Sequence, residues 1–151
     1  MVTAGDLETR LRALEDRAEL LTLFDLYLRV PDDNRWQREW LATIFTEDVV
    51  LNFGFALHEG LEGLAEFGRV AHARFERSHH VGANCVIKLD GDRANVHAKV
   101  IATHVPHLTM GGEYVIEAVR TGEGWRYQRV KLNVIWTAGI TNAPDIAGAM
   151  E

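Results

Sequence analysis

The chain has 151 residues, 47% of them hydrophobic, a formal net charge of -6 and a pI near 5.6. That length and apolar content suit one domain, 1–151, with a single core; an acidic balance without a Lys/Arg run excludes a nucleic-acid footprint or an anionic-membrane surface. Cys85 is the only cysteine, so no intrachain disulfide can form, and no signal-peptide pattern or long apolar span is present. A cytoplasmic protein with a small, neutral or weakly charged molecular partner is expected.

In chain order, Asp6 reads as an N-cap before apolar residues at Leu7, Leu11, Leu14, Ala18, Leu21 and Leu28, with charged residues between them. This predicts an amphipathic helix. Pro31 should stop it near Val30, because the residue before proline is pushed out of the α region, and Asp32, Asp33 and Asn34 supply turn chemistry. A second helix is predicted over 35–45, a strand over 49–53, an irregular connection over 54–63 and a third helix over 64–77.

From His80 onward, β-branched runs alternate with hairpin turns. Strands are predicted over 82–89, 94–105, 112–120 and 125–136, separated by Asp90-Gly91-Asp92, by 106–111 and by Thr121-Gly122-Glu123-Gly124. Helices followed by an antiparallel meander define an α+β arrangement with helices on one face of a sheet. Long antiparallel strands twist and curl, and a concave face closed by helices is where small-molecule pockets form. Alternation puts Val96, Ala98, Val100, Ala102 and His104 on one face; Trp125, Tyr127, Arg129, Lys131, Asn133 and Ile135 share another. The tail over 137–151, rich in Ala and Gly, is expected to wrap a surface or pack on a neighbouring subunit.

The polar side chains able to act as acid or base near such a cavity are Tyr27, Asp32, His79, His80, His104, His107, Lys131 and Asn133. Each has a plainer reading as a turn, loop or packing residue. His79 and His80 are adjacent on a strand, so their side chains take opposite faces and a pocket can receive only one of them. His104-Val105-Pro106-His107 has H-x-x-H spacing, yet there is no H-E-x-x-H, no cysteine pair and no nearby carboxylate, so no metal is expected. Glycine-rich phosphate loops and a nucleophile elbow are absent as well. What remains is acid-base chemistry without a cofactor: a histidine whose one ring nitrogen is held by a carboxylate is a minimal general base.

Several stretches carry a family resemblance. Arg17-Ala18-Glu19-Leu20-Leu21-x-Leu23-Phe24-x-x-Tyr27, then Asp32, Trp36 and Leu41-x-x-Ile44-Phe45-Thr46-Glu47-Asp48-Val49-Val50 resemble the opening of nuclear transport factor 2-like proteins of the SnoaL-like branch. His79-His80-Val81-Gly82-Ala83-Asn84, Leu89-Asp90-Gly91-Asp92-Arg93-Ala94, Gly112-x-Tyr114 and Gly124-Trp125-Arg126 continue the likeness to about Trp136. The resemblance implies a cone-shaped, strongly curved, mostly antiparallel sheet with N-terminal helices enclosing a pocket.

Within that family the sequence resembles scytalone dehydratase and hexachlorocyclohexane dehydrochlorinase, which pair an Asp at the end of the first helix with a His at the start of the strand after the third helix. The likeness places that pair on Asp32 and His80, leaving His79 as a neighbour. It also implies substrate contacts from Tyr27, His104, Lys131, Asn133, Phe53 and Trp136. Tyr27 stands where the dehydrochlorinase has a lysine and is more like the dehydratases, which polarise a carbonyl with tyrosine hydroxyls through water. The implied activity is that of a cofactor-independent lyase, a dehydratase acting on a small cyclic or aromatic-like substrate, in a homodimer or homotrimer. The alternatives are a non-catalytic small-molecule-binding or dimerising module, an isomerase or cyclase, or the small subunit of a ring-hydroxylating oxygenase.

Overall fold

The computed structural model describes residues 1–106 and 108–139; His107 and the tail from Ile140 onward, with the expectations attached to them, lie outside the described residues. The first helix, α1, spans Ala4–Asp32. Thr3 is its N-cap, and Asp6 is the reciprocal partner rather than the cap: the Asp6 N–H donates to Thr3 Oγ1 at 3.2 Å, and the Thr3 N–H to Asp6 Oδ2 at 3.0 Å. The helix also runs past the expected stop. Pro31 falls in its last turn, where it forfeits only its own N–H, and the Asp33 N–H closes the end on Arg29 O at 2.8 Å.

The buried stripe of α1 is Leu20, Leu23, Phe24, Tyr27 and Leu28. Leu7, Leu11, Leu14, Ala18 and Leu21 are exposed, which corrects the stripe read from periodicity. Spacing identifies an apolar face but not whether anything packs on it; the first three turns are exposed on all sides apart from half-buried Ala13.

The second helix, α2, is only Arg38–Leu41, shorter than expected because the chain turns into a strand sooner. Strand β1 is Phe45–Asn52, and its start is fixed by the Tyr127 N–H donating to Ile44 O at 2.7 Å. A short strand β2, Leu57–Glu59, lies in the stretch read as irregular, and α3 is Leu64–His72. Four long strands follow: β3 Arg77–Asp90, β4 Arg93–Val105, β5 Leu108–Thr121 and β6 Gly124–Gly139. The architecture is α+β with one six-stranded sheet in the order β2-β1-β6-β5-β4-β3. Among the described residues only β1 and β6 run parallel; the other neighbours are antiparallel.

Bulges curl this sheet. In β3 the pairing shifts between Ala83 and Val86, and Asn84 takes φ 56, a left-handed conformation that asparagine tolerates better than most residues. In β6 the pairing with β5 shifts between Glu117 and Ala118, leaving Gln128 as the extra residue, and again between Gly111 and Gly112, leaving Ile135.

Each extra residue inverts the in-out parity. In β4, Val96, Ala98, Val100, Ala102 and His104 all face the core. In β6, Trp125 and Tyr127 face it too, but past Gln128 the inward residues are Val130 and Leu132, while Lys131 and Asn133 are exposed. Trp136 sits beyond the second bulge, with its indole covering Gly111 so closely that a Cβ there would collide with the ring.

Helix α1 crosses the inner face of the sheet against β3. Phe24 and Leu28 rest directly on Gly82, where any Cβ would overlap both side chains, and Arg17 Nη1 donates to Ile87 O at 2.9 Å. Gly82→Val is therefore expected to lower stability by about 1–3 kcal/mol in urea unfolding, as overpacking does. Unchanged stability would show that α1 can lift off β3 at no cost.

Candidate active site

The curled sheet and the helices over it line a cavity of about 120 Å³. Its wall is mostly apolar and aromatic, including Trp36, Phe45, Phe53, Phe55, Phe67 and Phe75. Such walls suit a ring-sized ligand.

At one edge of the cavity the end of α1 meets the start of β3. Because the helix continues through Pro31, Asp32 is its last residue and turns its carboxylate toward the strand. A carboxylate at the negative end of a helix dipole is unfavourable by itself, so it needs donors from elsewhere. β3 provides three: Ser78 Oγ donates to Oδ1 at 2.7 Å, the His80 N–H to Oδ2 at 2.7 Å, and the His80 Nδ1–H to Oδ1 at 2.7 Å. Burial would raise the Asp32 pKa, but the hydrogen bonds from the His80 ring, the His80 N–H and Ser78 outweigh it and bring it to about 2. Asp32 is thus an anion at any ordinary pH and accepts from His80 Nδ1, so the other ring nitrogen, Nε2, is the one left for chemistry.

The His80 side chain is 9% exposed and that of Asp32 19%. His80 lines the cavity; Asp32 stands behind it. His79, paired with Thr103, is exposed on the opposite face of β3.

Two further histidines face His80. The His104 ring lies edge-on to it at 5.3 Å between centroids, and the His72 ring is 5.9 Å from His104. His104 is buried, its Nδ1 without a partner among the described residues, and burial followed by the neighbouring charges of His80 and His72 lowers its pKa to about 3. His72 Nδ1 is turned to Gly68 O at 3.0 Å, and burial lowers its pKa as well. Both are neutral imidazoles at working pH.

One ring nitrogen from each of His72, His80 and His104 lies within 4.8 Å of the other two, the one such group among the described residues. The H-x-x-H pair did not point to this set, since it joins residues from α3, β3 and β4. The spacing is that of a metal cage, with Asp32 and Gly68 O orienting two of the rings in the manner of outer-shell partners. Against a divalent ion stands the Arg74 guanidinium, whose charge lowers the pKa of both His72 and His104 and repels a second cation from the same place.

The remaining residues singled out from sequence divide into two groups. Tyr27, His104 and Phe53 line the cavity together with His80. Tyr27 is packed edge-on against Tyr114 at 5.3 Å, and burial followed by the neighbouring Tyr114 raises its pKa well above the usual phenol, so it stays a donor. Lys131, Asn133 and Trp136 do not join them, because the bulges at Gln128 and Ile135 leave them exposed and away from the cavity wall.

Sequence reading missed His72, Arg74, Ser78 and Tyr114. Ser78 could have been found: it lies two residues before His80, on the same face of the strand. For His72, the last residue of the short third helix, and Arg74, just after it, no sequence signal existed.

Residues 12–131 match the model of the SnoaL-like domain. The chain belongs to this family, a branch of the nuclear transport factor 2-like superfamily. No curated protein matches it. Among solved structures, the Kfla4162 protein from Kribbella flavida is 27% identical over 91% of this chain and 98% of its own, with a TM-score of 0.79. A scytalone dehydratase-like protein from Novosphingobium aromaticivorans is 21% identical over 85% of this chain and 89% of its own, with a TM-score of 0.74. The hexachlorocyclohexane dehydrochlorinase LinA-type3 from Novosphingobium barchaimii is 20% identical over 90% of this chain and 97% of its own, with a TM-score of 0.77. At these identities the last two likenesses establish a shared fold.

Proposed function

We propose that this protein is a cofactor-independent lyase, a dehydratase that uses His80 and Asp32 to remove water from a small cyclic or aromatic-like substrate. The observation that carries the reading is the 2.7 Å hydrogen bond from His80 Nδ1 to an ionised Asp32 at the wall of an apolar cavity. Asp32 fixes the tautomer and stabilises the imidazolium that forms when Nε2 takes a proton. His80 Nε2 removes a proton from the carbon next to a carbonyl, the C–H electrons become the new double bond, and the β-hydroxyl leaves with that proton as water. One base on one face of the substrate suffices. Tyr27 and His104 serve as neutral hydrogen-bond partners for substrate oxygen, and water is kept out by the aromatic wall.

Proton exchange tests the first step whatever the final product. In D2O, small cyclic β-hydroxy ketones should exchange the proton adjacent to the carbonyl and lose the hydroxyl, and His80→Ala should abolish both. Enzyme-independent exchange, or exchange that survives His80→Ala, would sink the reading. The same measurement separates the alternatives: exchange without loss of water indicates an isomerase, and binding with no exchange a non-catalytic module.

The reading includes one domain over the whole chain, a cytoplasmic setting and assembly as a homodimer or homotrimer. A row of apolar side chains on the outer face of the sheet supports self-association: Val81 pairs with Ile101, Ile101 with Gly111 and Gly111 with Trp136, and Val81, Ile101 and Trp136 are all exposed. Ile101→Lys should shift the protein toward monomer in sedimentation velocity; an unchanged sedimentation coefficient would place the contact elsewhere.

A further inference from the structure

Arg74 lines the cavity and is the only Arg, Lys, Asp or Glu among the described residues that does. Its Nε and Nη1 are buried without a hydrogen-bond partner, and among the described residues it forms no ion pair. The Phe75 ring centroid lies 4.9 Å from the guanidinium carbon. A ring face attracts the positive charge but does not accept N–H bonds from the edge of the guanidinium plane.

Arg74 as a whole is half-buried, but two guanidinium N–H groups that are shut off from water without an acceptor carry a desolvation cost. The usual internal partners are already taken. Asp32 has its oxygens engaged by Ser78 and His80. His72 and His104 offer Arg74 no negative charge. What would complete the cavity is an acceptor brought in by the ligand.

We propose that Arg74 is an anion-recognition residue, and that the natural ligand is a small, ring-sized carboxylic acid whose carboxylate docks on Arg74 while its apolar body fills the aromatic wall. This names the substrate class for the reading above and rests on it only for the chemistry at His80. With the carboxylate anchored on Arg74, the reacting carbon is presented to a second, fixed point of the same cavity. Charge-assisted hydrogen bonds from arginine to carboxylate are among the stronger and more directional contacts available, so the anchor gives orientation as well as affinity.

The test compares acids with their neutral amides: 1-naphthoate against 1-naphthamide, and cyclohexanecarboxylate against cyclohexanecarboxamide, at pH 7.5 by calorimetry or ligand-observed NMR. Each acid should bind the wild-type protein about 10- to 100-fold more tightly than its amide, the worth of a charge-assisted contact. Arg74→Gln and Arg74→Met should abolish the difference.

Thermal unfolding adds a readout that a structural arginine would not produce. Without ligand, Arg74→Met should melt no lower than wild type, because two buried guanidinium nitrogens without acceptors are replaced by an apolar chain of similar length. Equal affinity for acid and amide, a preference that persists in Arg74→Gln, or no binding of either acid at 10 mM overturns the proposal. The preference should remain in His80→Ala, so loss of turnover and loss of acid recognition fail separately.

Discussion

His80→Ala is expected to lower turnover by about 10²–10⁴-fold, the contribution of a positioned general base, while the protein stays folded. The size follows from where the lost group sits: Nε2 is the ring nitrogen left free at the cavity once Nδ1 is committed to Asp32. Asp32→Asn should come close to the same loss by a different route. An amide at this position cannot stabilise the imidazolium, and it is free to present its NH2 to His80 and reverse the tautomer. His79→Ala, on the exposed face, is the control and should retain activity. If His79→Ala proves as damaging as His80→Ala, the functional histidine has been assigned one residue out of register.

Asp32 also carries a pH signature separable from catalysis. Its folded pKa, about 2, lies below the ordinary value of 3.8, so its contribution to stability is fully present above about pH 4 and is lost as pH falls toward 2. Allowing for its partial exposure, that contribution is on the order of 1–2 kcal/mol. Asp32→Asn should therefore flatten the acid limb of the stability curve between pH 4 and 2. An acid limb of equal steepness in both proteins would mean that the three hydrogen bonds to Asp32 do not hold in solution.

The α+β order and the inner face of β4 were legible because one periodicity governs each: a strand buried on one side alternates without exception from Ala94 to His104. Bulges defeat the same rule. Gln128 adds one residue to β6 and turns Lys131 and Asn133 outward, and nothing in the Arg126–Gln128–Val130 stretch announces an extra residue.

Helix α1 was misread for another reason. Leu7, Leu11, Leu14, Ala18 and Leu21 form as regular a stripe as the buried one, and only tertiary packing selects Leu20, Leu23, Phe24, Tyr27 and Leu28. Asp32 and His80 are 48 positions apart, so no local pattern joins them; the family likeness did. Arg74 illustrates the opposite limit, since an arginine after a short helix looks like any solvated charge until its surroundings are known to be apolar.

Asp16→Ala is expected to destabilise the protein by about 3–5 kcal/mol, the cost of breaking a buried ion pair, although Asp16 reads in sequence as one more charge on a polar helix. Both of its carboxylate oxygens are bound by Arg120, Nη1 to Oδ1 and Nη2 to Oδ2 at 2.8 Å each, and Trp125 Nε1 donates to Oδ1 at 3.1 Å. Arg120 in turn lies 4.7 Å from the centroid of the Trp125 ring and gives its Nε–H to Asp92 at 2.9 Å. The cluster ties α1 to β5, β6 and the turn between β3 and β4. The Arg120 hydrogen bond is the main cause that holds the Asp16 pKa below the usual carboxylate range.

Removing the carboxylate leaves a mostly buried guanidinium and an indole N–H without their shared acceptor, and the cost is that of stranding them rather than of losing a contact. Asp92 retains one arm of Arg120, which favours the lower end of the range. Asp16→Leu combined with Arg120→Met should recover most of the loss, because a well-packed apolar pair can replace a buried ion pair. Activity per folded molecule should not change in Asp16→Ala, since sixteen residues of helix put Asp16 roughly 24 Å from Asp32 along α1. Urea unfolding of Asp16→Ala and of the double variant decides the matter. A cost below about 1 kcal/mol for Asp16→Ala would show that the cluster is solvated and that α1 is held by its apolar contacts on β3 instead.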